Sequence, residues 1–523
     1  MMKRLFYLLI AFSLLFVGCF DDDSNTNIKD LNPIVIELTG GNQLSVKQLD
    51  TLRIEPLVYC KGVDDSDLSF EWMLMSYGTI VPRLLDTTMY CCAQITEVPG
   101  KNYTVRLTVT DKTTGIFQIQ TYVVNVLGNI ETGLLIADTR DGGTTSDVNL
   151  VKSREFNGYY SMQNENRDIY RHIWEGVNGT SFAGRLLALN TSDAWSQNTC
   201  VTAVTTEGLY RANYKDYKEV WTGSEMFYVK PPFDGQAITS AGFTFLNNNK
   251  WETLMINGLM YDRNLQNNGR QYGTPIYPSG VKDYKVTLRA QSGGRTGINL
   301  PAVYAYDELG QRMLFFGSAA GYQAVNQMSG PFNVNDLSGF NPLYLGECAD
   351  GMTLLAINKS NGNLEALVMK TVVYGEVSKT TDFAQARYDL SAAPHIGLAR
   401  AYALSPQGNA FYYATENEVY AGSMNTAGTA RVRWTAAPGE TITGIQFYTG
   451  QAGKHYYMGP SGSEAQQDSK NNLLLITTST ASGEGKVTCV PVVHANIGQL
   501  EEDEKYQIKL EGFGEILGIY NQL

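Results

Sequence analysis

Histidine is nearly missing from this chain: its 523 residues contain four, His172, His395, His455 and His494. They are scattered and make no H-E-x-x-H or other paired arrangement that would hold a metal. No G-x-S-x-G occurs, so the nucleophile elbow of a serine hydrolase has no counterpart. A P-loop and a strand-borne dinucleotide fingerprint are missing as well. Charged residues make up only 18%, the formal net charge is -12, and no Lys/Arg cluster interrupts it. That balance argues against a nucleic-acid partner, which needs a basic footprint on the phosphates. There are seven cysteines but no C-x-x-C pair and no zinc-like spacing with histidine. No site for a metal or other cofactor can be assigned. Long apolar runs are missing except one, Leu5 to Val17. As a helix it reaches only about 20 Å, too short to span a bilayer.

That run has the length of a signal-peptide core, and Lys3 and Arg4 supply the positive start. Gly18-Cys19 follows, and the whole resembles the bacterial lipoprotein signal, which implies removal of residues 1–18 and lipid on Cys19. Phe16 stands where that pattern usually has Leu, and an ordinary secretion signal with an accidental cysteine is the competing reading. Residues 19–31 read as a lipidated start and a polar tether, with Asp21, Asp22 and Asp23 next to the anchor. Acidic runs in this place resemble the surface-export signal of Bacteroides-group lipoproteins. Phe20 is not the Asp of an inner-membrane retention signal. The resemblance implies an outer-membrane address, on its extracellular face, reached through the N-terminal lipid.

Glycine (51) and tyrosine (32) are plentiful, which suits short strands joined by polar turns better than long helices. An all-β fold in two bodies is expected, residues 32–127 and residues 128–523. In NYTVRLTVTD the period is two: Tyr103, Val105, Leu107 and Val109 share one face. Trp72 lies in the strand-like FEWML, the right place for a sandwich-core ring. These two stretches, with TYVVNV, resemble the PKD-like immunoglobulin-type sandwich domains of Bacteroides-type surface lipoproteins. The resemblance gives Trp72, Tyr103, Leu107 and Asp111 structural roles. A generic immunoglobulin-like sandwich is the alternative. A bridge from Cys60 to Cys91 or Cys92 is open inside this domain, whereas Cys200, Cys348 and Cys489 read as buried thiols in strands.

Beyond Gly128 one theme repeats about seven times: an apolar strand, a polar turn, another strand. GLLIADTRDGGTTSDVNLV and DGMTLLAINKSNGNLEALVMK are examples. Such units cannot bury their faces alone, so a β-propeller of seven blades is expected, with FGEILGIYNQL at the C-terminus closing the first. Six or eight blades, or a second set of sandwiches, are the competing architectures. WD and Kelch signatures are missing, so the count rests on pattern.

Catalysis has no motif to support it. Asp138, Asp141, Glu207, Glu225, Asp307 and Glu347 are the acids a glycan hydrolase or lyase could use, and Asp138 to Gly143 reads more simply as a hairpin turn. The unusual material is aromatic. FNGYYSMQNENRDIYRHIWEG brings Tyr159, Tyr160, Tyr170 and Trp174 together with Asn164, Asn166 and Arg167. The stretch reads as a long loop at a propeller face or channel mouth, with Trp174 as its main ligand contact. The function expected is non-catalytic binding or adhesion, with an extracellular peptide or glycan as ligand. The resemblance further implies work beside SusC- and SusD-type uptake proteins, and a scaffold holding such a complex is the third class.

Overall fold

The computed structural model describes residues 32–76, 82–130, 132–192, 200–246, 251–264, 271–291, 302–317, 320–322, 327, 329–372, 374–450 and 453–522. The expected signal peptide, Cys19 and the tether lie outside them. Strands dominate, helices are single turns or little more, and none among the described residues is long and apolar enough to cross a membrane. The chain forms two compact units. The first holds residues up to Ser45, Thr51–Ala93 and Asn102–Asn125; the second holds Val46–Asp50, Gln94–Lys101 and Val126–Leu523.

In the first unit, the strand Asn102–Asp111 lies between Leu68–Ser76 and Phe117–Leu127, antiparallel to both. Its burial alternates along its length, as the period of two requires. Tyr103, Val105, Leu107 and Val109 point inward, and Trp72 is fully buried among them. The Trp72 indole N–H donates to Thr88 O at 2.9 Å, and its ring lies 5.8 Å from Tyr122. Asp111 accepts from Thr113 N at 2.8 Å and from Thr114 Oγ1 at 2.6 Å, which pins the turn into the last strand. The open bridge is not formed. Cys60, Cys91 and Cys92 are free thiols, as are Cys200, Cys348 and Cys489, and Cys60 Sγ donates to Asn32 O at 3.4 Å.

Seven antiparallel sheets follow one another along the second unit among the described residues. Six begin with their inner strand: Leu186–Ser192, Ala241–Leu246, Val286–Gln291, Phe340–Cys348, Ala401–Leu404 and Glu440–Phe447. The first sheet takes its inner strand from the far end of the chain, where Glu515–Gln522 pairs antiparallel with Gly133–Thr139. Successive inner strands touch, and Gln446 Nε2 in the seventh sheet donates to Ile519 O in the first at 3.2 Å. The ring is closed, and the terminal strand pairs where the sequence pattern put it.

The packing has a simple cause. Strands just outside the inner ones, such as Gly133–Thr139, are buried on both faces. Leu134 and Ile136 pack against Leu475 and Val487 of the seventh sheet, while Leu135 and Ala137 pack against Leu189 and Val201 of the second. A side-chain period of two thus feeds two apolar layers from one strand. Seven such layers occur among the described residues, one between each neighbouring pair of sheets. Each fully buried Leu or Ile in them contributes about 1.5–3 kcal/mol. Outer strands such as Ala384–Asp389 return to alternation because one face meets water.

Candidate ligand-binding site

The aromatic stretch Glu155 to Val177 lies at the outer edge of the first sheet. Its short strand Asp168–Tyr170 pairs with Thr145–Lys152 on the side away from the inner strand. It is therefore not at the ring's centre, and the expected channel-mouth position is corrected. The reason is local. Arg154 O accepts from Lys454 N at 2.9 Å, and the Arg154 guanidinium lies 5.0 Å from the Tyr456 ring. Those contacts hold the start of the loop on the hairpin Lys454–Met458 with Glu464–Asp468, an insertion in the seventh sheet.

Trp174 is the main correction. It is 1% exposed and packs 4.2 Å from Phe182 and 5.8 Å from Tyr210, in the layer between the first two sheets. Asp147 draws it in by accepting from Trp174 N at 3.0 Å and Glu175 N at 2.9 Å, which turns the helix Ile173–Asn178 onto the core. Tyr170 packs against the same layer, with Lys152 Nζ 5.5 Å from its ring. Arg167 is committed as well: its Nη2 donates to Glu155 Oε1 at 2.7 Å. Burial alone would raise the Glu155 carboxyl, but the Arg167 hydrogen bond and charge hold it below the usual range. Asn164 Oδ1 closes a turn on Asn166 N at 3.1 Å. Tyr160 is half-buried; Tyr159, 90% exposed, is the loop's fully displayed ring. The stretch is mainly structural, and its rings do not assemble a stacking surface.

The candidate acids are likewise dispersed. Asp138 is buried and accepts from Asn149 Nδ2 at 2.8 Å and Gly514 N at 2.7 Å. Asp141 caps its hairpin, and the Thr145 N–H and hydroxyl bring its carboxyl down to about 2. Asp307 is bonded to Lys285 N, Leu309 N and Arg312 Nε. Glu347 lines a cavity of about 230 Å³ with Asp350, Lys370 and Gln385. His455 is 1% exposed, and burial pulls its imidazole down to about 4.

The centre of the ring carries what sequence reasoning missed. Inner strands converge there, so space is short and glycine recurs: Gly242, Gly346, Gly444 and Gly518. Larger side chains lie over three of them. A Cβ at Gly518 would meet the Tyr520 ring, one at Gly346 the Tyr344 ring, and one at Gly242 the Arg289 guanidinium. Tyr344, Tyr520 and Arg289 nonetheless keep partial contact with solvent. Close surroundings push the Tyr344 hydroxyl up to about 12 and the Tyr520 hydroxyl above its ordinary value, and draw Arg289 down to about 10. In VTLRAQ, Arg289 reads as an ordinary solvent-facing strand position. Only knowing that this strand is an inner one changes that.

A model of the PKD-like family matches residues 19–185. The match therefore covers the first unit and continues into the first sheet of the second. No curated protein matches the chain. Among solved structures, the chain is similar to a quinonprotein alcohol dehydrogenase-like protein from Bacteroides thetaiotaomicron, with 11% identity and a TM-score of 0.44, over 95% of this chain and 100% of that one. It is also similar to the WD40 domain of SCAP from fission yeast, with 8% identity and a TM-score of 0.31, over 62% of this chain and 74% of that one.

Proposed function

We propose that this protein is a non-catalytic lipoprotein of the outer membrane's extracellular face, anchored through Cys19, that captures an extracellular peptide or glycan. The observation that carries the binding role is the ring's centre, where two tyrosines and one arginine from inner strands of three different sheets stay in contact with solvent. A rigid closed ring that gathers such groups from distant parts of the chain is suited to holding a ligand in one orientation. The lipoprotein-like start supports the address, and the PKD-like match supports a surface or binding role. Service to SusC- and SusD-type uptake proteins, as ligand capture or as adhesion, belongs to the same proposal.

Intact cells test it. Protease added outside should degrade the wild-type protein, and labelled palmitate should enter it but not Cys19→Ala. Protein untouched until the outer membrane is opened would refute surface display. The cavity of about 230 Å³ at Glu347 and Asp350 favours a second reading, a glycan hydrolase or lyase. Polysaccharide cleavage by the pure protein, abolished in Glu347→Gln, would establish that reading in place of the first.

A further inference from the structure

Arg289 is the single basic residue on the seven inner strands. The other charges there are carboxylates, and two of them are already paired: Glu515 with Arg185 and Glu440 with Lys486. The Arg289 guanidinium lies in the space that the missing side chain of Gly242 leaves on the next inner strand. Its Nε is shut off from solvent and has no hydrogen-bond acceptor among the described residues. Among the described residues, the one ionisable group acting on it is Tyr520, from the inner strand of the first sheet. A guanidinium is a planar fork of five donors, and its natural complement is a carboxylate gripped by two of them. Here the guanidinium lies against Gly242, and among the described residues no carboxylate acts on it.

We propose that the ring's centre is a carboxylate seat, in which Arg289 grips the acid group of the ligand and the Tyr520 ring borders it. This rests on the binding reading above and narrows its ligand to an acidic one: a uronic-acid sugar or the free carboxyl end of a peptide. The net charge of -12 opposes an approaching anion, so binding depends on the local fork. The seat takes one ligand group and no reaction occurs in it.

Matched pairs of small probes decide it, with sodium and chloride held equal. Melting curves of the mature protein are recorded in galacturonate against galactose, and in N-acetyl-alanine against its amide. The acid member of at least one pair should raise the melting temperature by about 2 °C over its neutral twin. The responding pair identifies the sugar or the peptide as source. Arg289→Gln should abolish the difference. Gly242→Ala, which keeps the charge but pushes the guanidinium off its place, should reduce it, and this variant decides alone if Arg289→Gln does not fold. No difference in the wild type for either pair overturns the proposal. So does a difference that survives in the variants, because the anion would then sit elsewhere. Because the test uses pure protein, its failure leaves surface display standing, and failed display leaves the seat standing.

Discussion

Glu252 should be among the most costly single residues to lose. It is fully buried, and its Oε1 accepts from Arg263 Nε at 2.8 Å and from the Tyr272 hydroxyl, while Oε2 accepts from Asn190 Nδ2 at 2.6 Å. Arg211, 3% exposed, lies close by, with the Tyr272 ring 5.4 Å from its guanidinium and 5.5 Å from that of Arg263. Glu252→Ala would leave two buried guanidinium groups facing each other and two further donors without an acceptor. Breaking a buried ion pair from one side costs about 3–5 kcal/mol. Glu252→Gln keeps the shape and some hydrogen bonds, so about 2 kcal/mol is expected. Glu252→Leu with Arg263→Met removes both partners, and the cycle should return a coupling of at least about 2 kcal/mol. The pH dependence has a defined sign. Burial raises the Glu252 carboxyl, but the Arg263 charge and hydrogen bond, with Arg211 and Tyr272, outweigh burial and hold it below its ordinary value. Its contribution is therefore present above the unfolded carboxylate value of about 4.3 and is lost as pH falls through the lower folded one. Urea unfolding between pH 3 and 7 would read both effects. A loss below about 1 kcal/mol in Glu252→Ala, or additive single changes, would refute this reasoning.

Trp174→Ala should destabilise by about 3–5 kcal/mol, because a large ring leaves the layer between the first two sheets; a melting curve checks it. Ending the chain after Gly514 removes the strand paired with Gly133–Thr139, so limited proteolysis should cut the first sheet and light scattering should report association through the bared edge. Burial pushes the Asp147 carboxyl up to about 7. A raised folded value means stability is present below about pH 4 and lost as pH rises through 7, by at most about 4 kcal/mol. Asp147→Asn should flatten that slope in denaturant titrations across the window.

The fold was readable because burial is written into strand spacing. NYTVRLTVTD alternates in sequence and in the structure, and LLIAD, LLAI and LLLIT are continuous runs because their strands are covered on both sides. Closure was readable from an extra strand at the C-terminus with no partner near it in sequence. The site was not readable. Aromatic density around Trp174 looks the same whether rings face water or a neighbouring sheet, and Trp174 is held inward by its backbone N–H donating to Asp147, a residue 27 positions earlier. Arg289 gave no signal because its meaning comes from Gly242 and Tyr520, which only ring closure brings to it.

The most direct measurement is hydroxyl-radical footprinting of the pure protein, with and without an acidic oligosaccharide such as trigalacturonate, read by mass spectrometry at single tyrosines. Tyr344 and Tyr520 at the ring's centre should gain protection, while Tyr159 on the outer loop should oxidise at the same rate in both samples. Protection confined to Tyr159 and Tyr160, with Tyr344 and Tyr520 unchanged, would place binding on the outer loop and contradict a ligand seat at the centre of the ring.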